Sequence, residues 1–280
     1  VAVEAVTANP SPSSTYQPYD LTPRTTRTPE ESRQYFRHEV AIRFGSPLHS
    51  KMRKRYWELP HVRDKPFVIA IQTFHDQGSL THSATSLSQY LFGVGAEWHF
   101  DEAGELIVGG VPLDEHRHLD KSIPSGLFMQ PGSEHLSAVL FSNAGTVAKF
   151  NRMGHQRSGD RSLRMLRAGT CYSYAPNAVL PEPFVYEVGD PSQGFEPWRE
   201  GTVLIQNPRA LHPVPTDWIG AGAEEYLEGG VVVPRWRDHF QPYASQTSVY
   251  SAGTPATVIQ EIADRMLVGL SAQFPTRDNR

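Results

Sequence analysis

The sequence predicts an α/β or α+β protein: a mixed sheet flanked by helices, followed by a β-rich C-terminal region. Three observations predict it. Pro66 to Thr73 (PFVIAIQT) is an unbroken apolar run of strand length, as expected for a strand buried on both faces inside a parallel or mixed sheet. An apolar strand-like run and two helical patterns precede it and another helical pattern follows, the order of a layered α/β core. Beyond Gly93 short strand-like runs separated by proline-rich connections replace the helices.

The first element is Val1 to Thr7 (VAVEAVT), a strand in which Glu4 is the one ionisable side chain. A chain that begins inside a strand is expected to be the edge of a fragment. Asn9 to Arg27, rich in Pro, Ser and Thr, reads as a loop. Thr28-Pro29-Glu30-Glu31 then starts a helix, with an N-cap threonine, proline at the first helical position and glutamate three residues after the cap. Phe36, Val40 and Phe44 share one face of it, and Gly45 is expected to stop it. Ser46-Pro47 restarts a second helix with Leu48, Met52 and Tyr56 on its apolar side, ending at Pro60. After the buried strand, a helix is expected from Ser83 to Phe92, closed by Gly93. Glu97 to Phe100 and Glu105 to Val108 flank an Asp101-Glu102-Ala103-Gly104 turn as a hairpin. His135 to Ser142, Thr202 to Gln206 and Gly229 to Val233 read as further strands. Between them, 176–197 and 207–215 read as long connections. From about Pro255, Ile259, Ile262, Ala263, Met266, Leu267 and Leu270 recur at helical spacing, an amphipathic docking helix with about 10 kcal/mol of gross apolar burial.

The chain has 280 residues, 39% of them hydrophobic and 20% charged, ample for a sizeable core. No apolar run approaches the roughly 18 residues of a membrane span. The single cysteine, Cys171, excludes an intrachain disulfide and a cysteine-rich zinc site and favours a reducing, cytoplasmic compartment. Net charge is −4, unevenly placed: eleven Lys or Arg against five acids from Arg24 to Lys65 give +6 there and −10 elsewhere. Such a basic segment points to a polyanion-facing surface.

A carboxylate among apolar neighbours needs a partner, a metal ion or a shifted pKa, which makes Glu4 the first candidate site residue. In metal-dependent phosphodiester cleavage, carboxylates hold Mg²⁺ near the phosphate and a lysine stabilises charge or orients water. The order of Glu4 on a strand, a basic helix and PFVIAIQT resembles the PD-(D/E)XK, or restriction-endonuclease-like, nuclease superfamily. VAVEAVTANP resembles the strand bearing the second acid of its motif. YWELPHVRDKPFVIAI (56–71), LFSNAGTVAKFNRMG (140–154) and NPRALHP (207–213) resemble stretches of bacterial proteins akin to such nucleases. The resemblance implies a partial nuclease-like core over 1–95, and a β-rich extension over 96–280 that ends in the docking helix and is continuous with the core in one variant of this reading. It implies Mg²⁺ bound by Glu4. Val6 stands where the superfamily has lysine, so Lys51 is the substitute, with Lys65 behind it. Arg53, Lys54 and Arg55 would hold the nucleic-acid backbone.

Two other function classes stay open. A non-catalytic protein could bind nucleic acid or another polyanion through the basic helices. Alternatively, His116 and His118, alternating on a strand, could ligate a metal with Glu115 or Asp120 in a β-rich enzyme. The segment around 112–121 reads as a polar loop, however, and its histidines as surface residues. Asn151 to Arg157, with Arg161, Arg164 and Arg167, reads as a solvated loop with local ion pairs in preference to a phosphate clamp. The five tryptophans show no stacking pattern. No Walker loop, GxGxxG before a helix, HExxH or GxSxG is present, which disfavours nucleotide hydrolysis and serine-hydrolase chemistry.

Overall fold

The computed structural model describes residues 1–10, 27–76, 78–159 and 162–273. Residues 11–26 of the expected loop and Arg161 lie outside them. The elements run β1 (Ala2–Ala8), α1 (Pro29–Gln34), a π-helical segment (Tyr35–Val40), α2 (Ala41–Met52), β2 (Phe67–Thr73), α3 (Thr85–Phe92), β3 (Val94–Phe100) and β4 (Leu106–Pro112). Then come β5 (Glu115–His118), β6 (Lys121–Pro124), β7 (Ala138–Ser142), α4 (Val147–Ser158), β8 (Leu163–Cys171) and β9 (Glu182–Glu187). Last are β10 (Thr202–Gln206), β11 (Ala223–Glu228), β12 (Val231–Trp236), β13 (Pro242–Ser251) and α5 (Ala256–Ser271). They form two compact units, one of 1–143 and 202–237 and one of 144–201 and 238–280. The boundary expected near residue 95 thus falls inside the first unit, between α3 and β4.

The first unit is mixed α/β, built on a six-stranded sheet of order β1-β2-β7-β10-β11-β12. β1, β2 and β7 are parallel, and β10 reverses direction against β7. β2 is an interior strand, between β1 and β7, and buried on both faces, as its unbroken apolar run requires. One face carries Phe67, Ile69 and Ile71 against Phe44, Leu48, Leu87 and Leu91 of the helices. The other packs Val68, Ala138 and Leu204 against Val214 and Ala221.

The helix start is as read: the Thr28 hydroxyl accepts from the Glu31 amide while the Glu31 carboxylate accepts from the Thr28 amide. The expected break at Gly45 and restart at Ser46-Pro47 do not occur, and helix runs from Pro29 to Met52 with both residues inside it. Gly45 is there for contact instead. A Cβ on it would stand 2.5 Å from Ile123 Cδ1 and 3.1 Å from the Tyr90 ring. Pro47 removes one backbone donor, and the burial of Phe44 and Leu48 on either side outweighs that loss. α3 and the β3–β4 hairpin form where expected, Gly93 ending α3 at φ +71°. The segment 112–121, read as a polar loop, holds β5 and the start of β6, which pair as a hairpin over Glu115–Pro124.

The second unit carries the antiparallel sheet β13-β8-β9 with α4 and α5. Most of it was hidden in the sequence. Asn151 to Arg157 is helix, not loop: the Thr146 hydroxyl caps it by accepting from the Lys149 amide at 3.2 Å, and Gly159 closes it. β8 escapes periodicity because its arginines are buried, and β9 lies within the expected proline-rich connection. α5 packs on β9 and β8, but Ile259 alone is fully buried, and Leu267, expected in the seam, is 39% exposed. The helix therefore buries less apolar surface than its pattern implies. Among the described residues no helix is long and apolar enough to cross a membrane.

Candidate functional site

β1 alternates, so Ala2, Glu4 and Val6 share the face turned toward α2. α2 brings its last turn over that face, and the Lys51 ammonium donates to Glu4 Oε1. The Tyr56 hydroxyl donates to the same oxygen at 3.1 Å. The Lys51 and Glu4 side chains are 18% and 29% exposed, enough to stay hydrated. The hydrogen bond from Lys51 holds the Glu4 carboxyl below the usual carboxylate range, and Glu4 in turn raises Lys51. The isolated acid predicted to need a partner thus has two.

Of the two lysines expected beside Glu4, Lys51 meets it. Lys65 instead donates to the His61 carbonyl at 2.9 Å in its own exposed turn. Arg53, Lys54 and Arg55 follow α2 and all three are exposed; Arg55 adopts φ 50° and pairs with Glu58 at 2.5 Å. From Arg53 to Lys65 five Lys or Arg, at 53, 54, 55, 63 and 65, face two acids, Glu58 and Asp64, and all seven side chains are exposed. Among the described residues Arg55 alone of the five forms an ion pair.

The residues at Glu4 do not fit a Mg²⁺ site. Oxygen ligands for Mg²⁺ come from one or two carboxylates in octahedral array. Among the described residues no second carboxylate bonds to Lys51 or Tyr56 here, and Glu4 Oε1 already accepts twice. Among the described residues no three His, Cys, Asp or Glu side chains are arranged to hold a metal ion anywhere. That covers the histidine alternative as well. His116 is fully buried rather than on the surface; its Nδ1–H donates to the Arg37 carbonyl at 2.6 Å, and its Nε2 accepts from the Ser125 hydroxyl at 2.8 Å. Both ring nitrogens are thereby used. His118 lies 3.5 Å from Glu39.

A second polar cluster was missed. The Tyr35 hydroxyl, on the π-helical segment, donates to Asp76 and lies 3.4 Å from His75 Nε2. His75 and Asp76 come just past the carboxyl end of β2, where open α/β sheets gather polar groups, and that position was the available signal. His75 is 4% exposed, its Nδ1 has no hydrogen-bond partner among the described residues, and burial pulls its pKa to about 4. Tyr35, His38 and Glu39 also line an open cleft of about 490 Å³ with Arg27 and His118. π-helical turns concentrate at functional sites. The lining mixes both signs of charge and names no ligand.

A third buried group is structural. Glu225 on β11 accepts from the Ser88 hydroxyl, and burial raises its carboxyl above the ordinary value near 4.5. A raised acid is most stabilising where both states are protonated, so its contribution is full below about pH 4.5 and is lost as pH rises through the folded value. Urea midpoints of the wild type should therefore decline relative to Glu225→Gln on going from acid toward neutral pH. Parallel pH profiles in the two proteins would remove Glu225 from this role.

No family model, curated protein or solved structure matches this chain.

Proposed function

We propose that this chain binds nucleic acid through the basic turn between α2 and β2, as a descendant of a restriction-endonuclease-like nuclease. The observation that carries this reading is the exposed run from Arg53 to Lys65, with four of its five cations outside any ion pair among the described residues. Exposed cations whose charge no carboxylate neutralises are the groups that release counterions from phosphates. The charge reversal Arg53→Glu/Lys54→Glu is expected to weaken oligonucleotide binding at least tenfold, with circular dichroism unchanged, since both side chains are exposed. Unchanged affinity would sink the assignment.

One observation favours a second reading, phosphodiester hydrolysis: Lys51, supplied by the crossover helix, reaches Glu4 on the strand. A single, doubly engaged carboxylate gives no basis for a metal-assisted step, and none is derived. Incubating labelled DNA and RNA with the protein and Mg²⁺ or Mn²⁺ decides between the two. Binding without cleavage is the expected result. Cleavage abolished by Glu4→Gln and by Lys51→Ala would establish the hydrolytic reading instead.

A further inference from the structure

Segment 56–71, which carries the last two cations of the basic turn, and segment 207–213 meet at one end of the first unit. Trp57, two residues beyond Arg55, lies flat on His135, ring centroids 4.8 Å apart and planes within 4°. The Leu211 amide donates to the Glu134 carbonyl at 2.8 Å, and the Asn207 side chain donates to the carbonyls of Ser133 and Leu136 at 2.8 and 2.7 Å. Arg209 donates to the Met129 carbonyl at 2.8 Å. Apolar side chains on these segments and at Met129, whose carbonyl Arg209 holds, are exposed: Leu59 at 40%, Met129 at 41% and Leu211 at 56%. Glu134, beside His135 in the chain, keeps one carboxylate oxygen buried without a partner among the described residues.

We propose that the ligand of the basic turn is single-stranded nucleic acid, its phosphates on the 53–65 cations and a base stacked on the Trp57–His135 pair. This rests on the nucleic-acid reading above. Cations alone would accept any polyanion, but Trp57, in the same segment, forms with His135 a planar, partly exposed aromatic pair on which a free base face can stack. A duplex hides those faces in its own stack, whereas single strands present them to aromatic side chains. Both rings are half-buried, so the pair presents part of its surface to a base.

The test is fluorescence anisotropy of the full chain with a labelled single-stranded oligonucleotide, the matching duplex, and inorganic polyphosphate as a competitor that has charge but no bases. The single strand should bind tightest. His135→Ala should weaken it about tenfold and leave duplex and polyphosphate unchanged, while His135→Tyr, which keeps a flat ring, restores it. Arg53→Glu/Lys54→Glu should weaken all three. If all three bind alike and His135→Ala changes none, stacking is overturned and polyanion binding stands. Tighter duplex binding also overturns it. If nothing binds, the parent reading falls as well.

Discussion

Replacing Glu196 by leucine is expected to cost the second unit about 3–5 kcal/mol in urea denaturation. Arg152 grips Glu196 with two hydrogen bonds of 2.7 Å, and both side chains are about 5% exposed or less. Arg167 lies 3.7 Å from the same carboxylate and bonds Glu200 at 2.5 Å, Ser245 and Tyr186 at 2.9 Å each. Lys149 donates to the carbonyls of Trp198 and Glu200, and burial lowers its pKa. Three buried cations thus share two carboxylates, and Glu196→Leu leaves Arg152 charged and unanswered. The double variant Arg152→Met/Glu196→Leu removes both charges and should recover most of the loss. A loss under about 1 kcal/mol in the single variant, or a double no better than the single, would contradict the assignment of this network as a mutually dependent set.

The second large effect is expected at Gly169. It pairs with Ser245 across β8 and β13, next to the register shift at Pro242 and Ala244. A Cβ there would stand 2.0 Å from the Ala244 carbonyl oxygen and 2.8 Å from Ser245 Cα. These are backbone atoms, so no side chain can swing away, and the strands must part. Gly169→Ala should cost about 3 kcal/mol, at the upper end for overpacking, with loss of amide protection along β8 and β13. Gly154 supplies the contrast. It lies inside α4 with nothing within 4 Å of its added Cβ, so Gly154→Ala should stabilise by up to about 1 kcal/mol. Equal effects at the two glycines would show that the close strand approach is not real.

What the sequence made legible follows from which forces act locally. β2 was readable because burial on both faces leaves an unbroken apolar run, and the start of α1 because the Thr28–Glu31 capping box is a contact within four residues. Gly45 misled because its reason is Tyr90 and Ile123, far along the chain. β8 was invisible because Arg164 and Arg167 give it a solvated look, while their partners Glu187 and Glu200 come from distant segments. The candidate site divides the same way. Glu4 demanded a partner by its setting, but Lys51 was put forward through the nuclease resemblance, and its meeting with Glu4 depends on a helix that runs unbroken to Met52 where the sequence pointed to two. Tyr35 with Asp76, and Trp57 with His135, depend on how helices and turns fold back on the sheet.

The central claim is that the 53–65 turn engages phosphates, and the most direct measurement is the salt dependence of single-stranded oligonucleotide binding by the wild-type chain. With about four cations engaged, log K should fall against log salt with a slope of about −3, roughly a 60-fold loss between about 50 and about 200 mM. Arg53→Glu/Lys54→Glu should flatten that slope. A slope near zero in the wild type, or one the charge reversal leaves unchanged, would contradict the account.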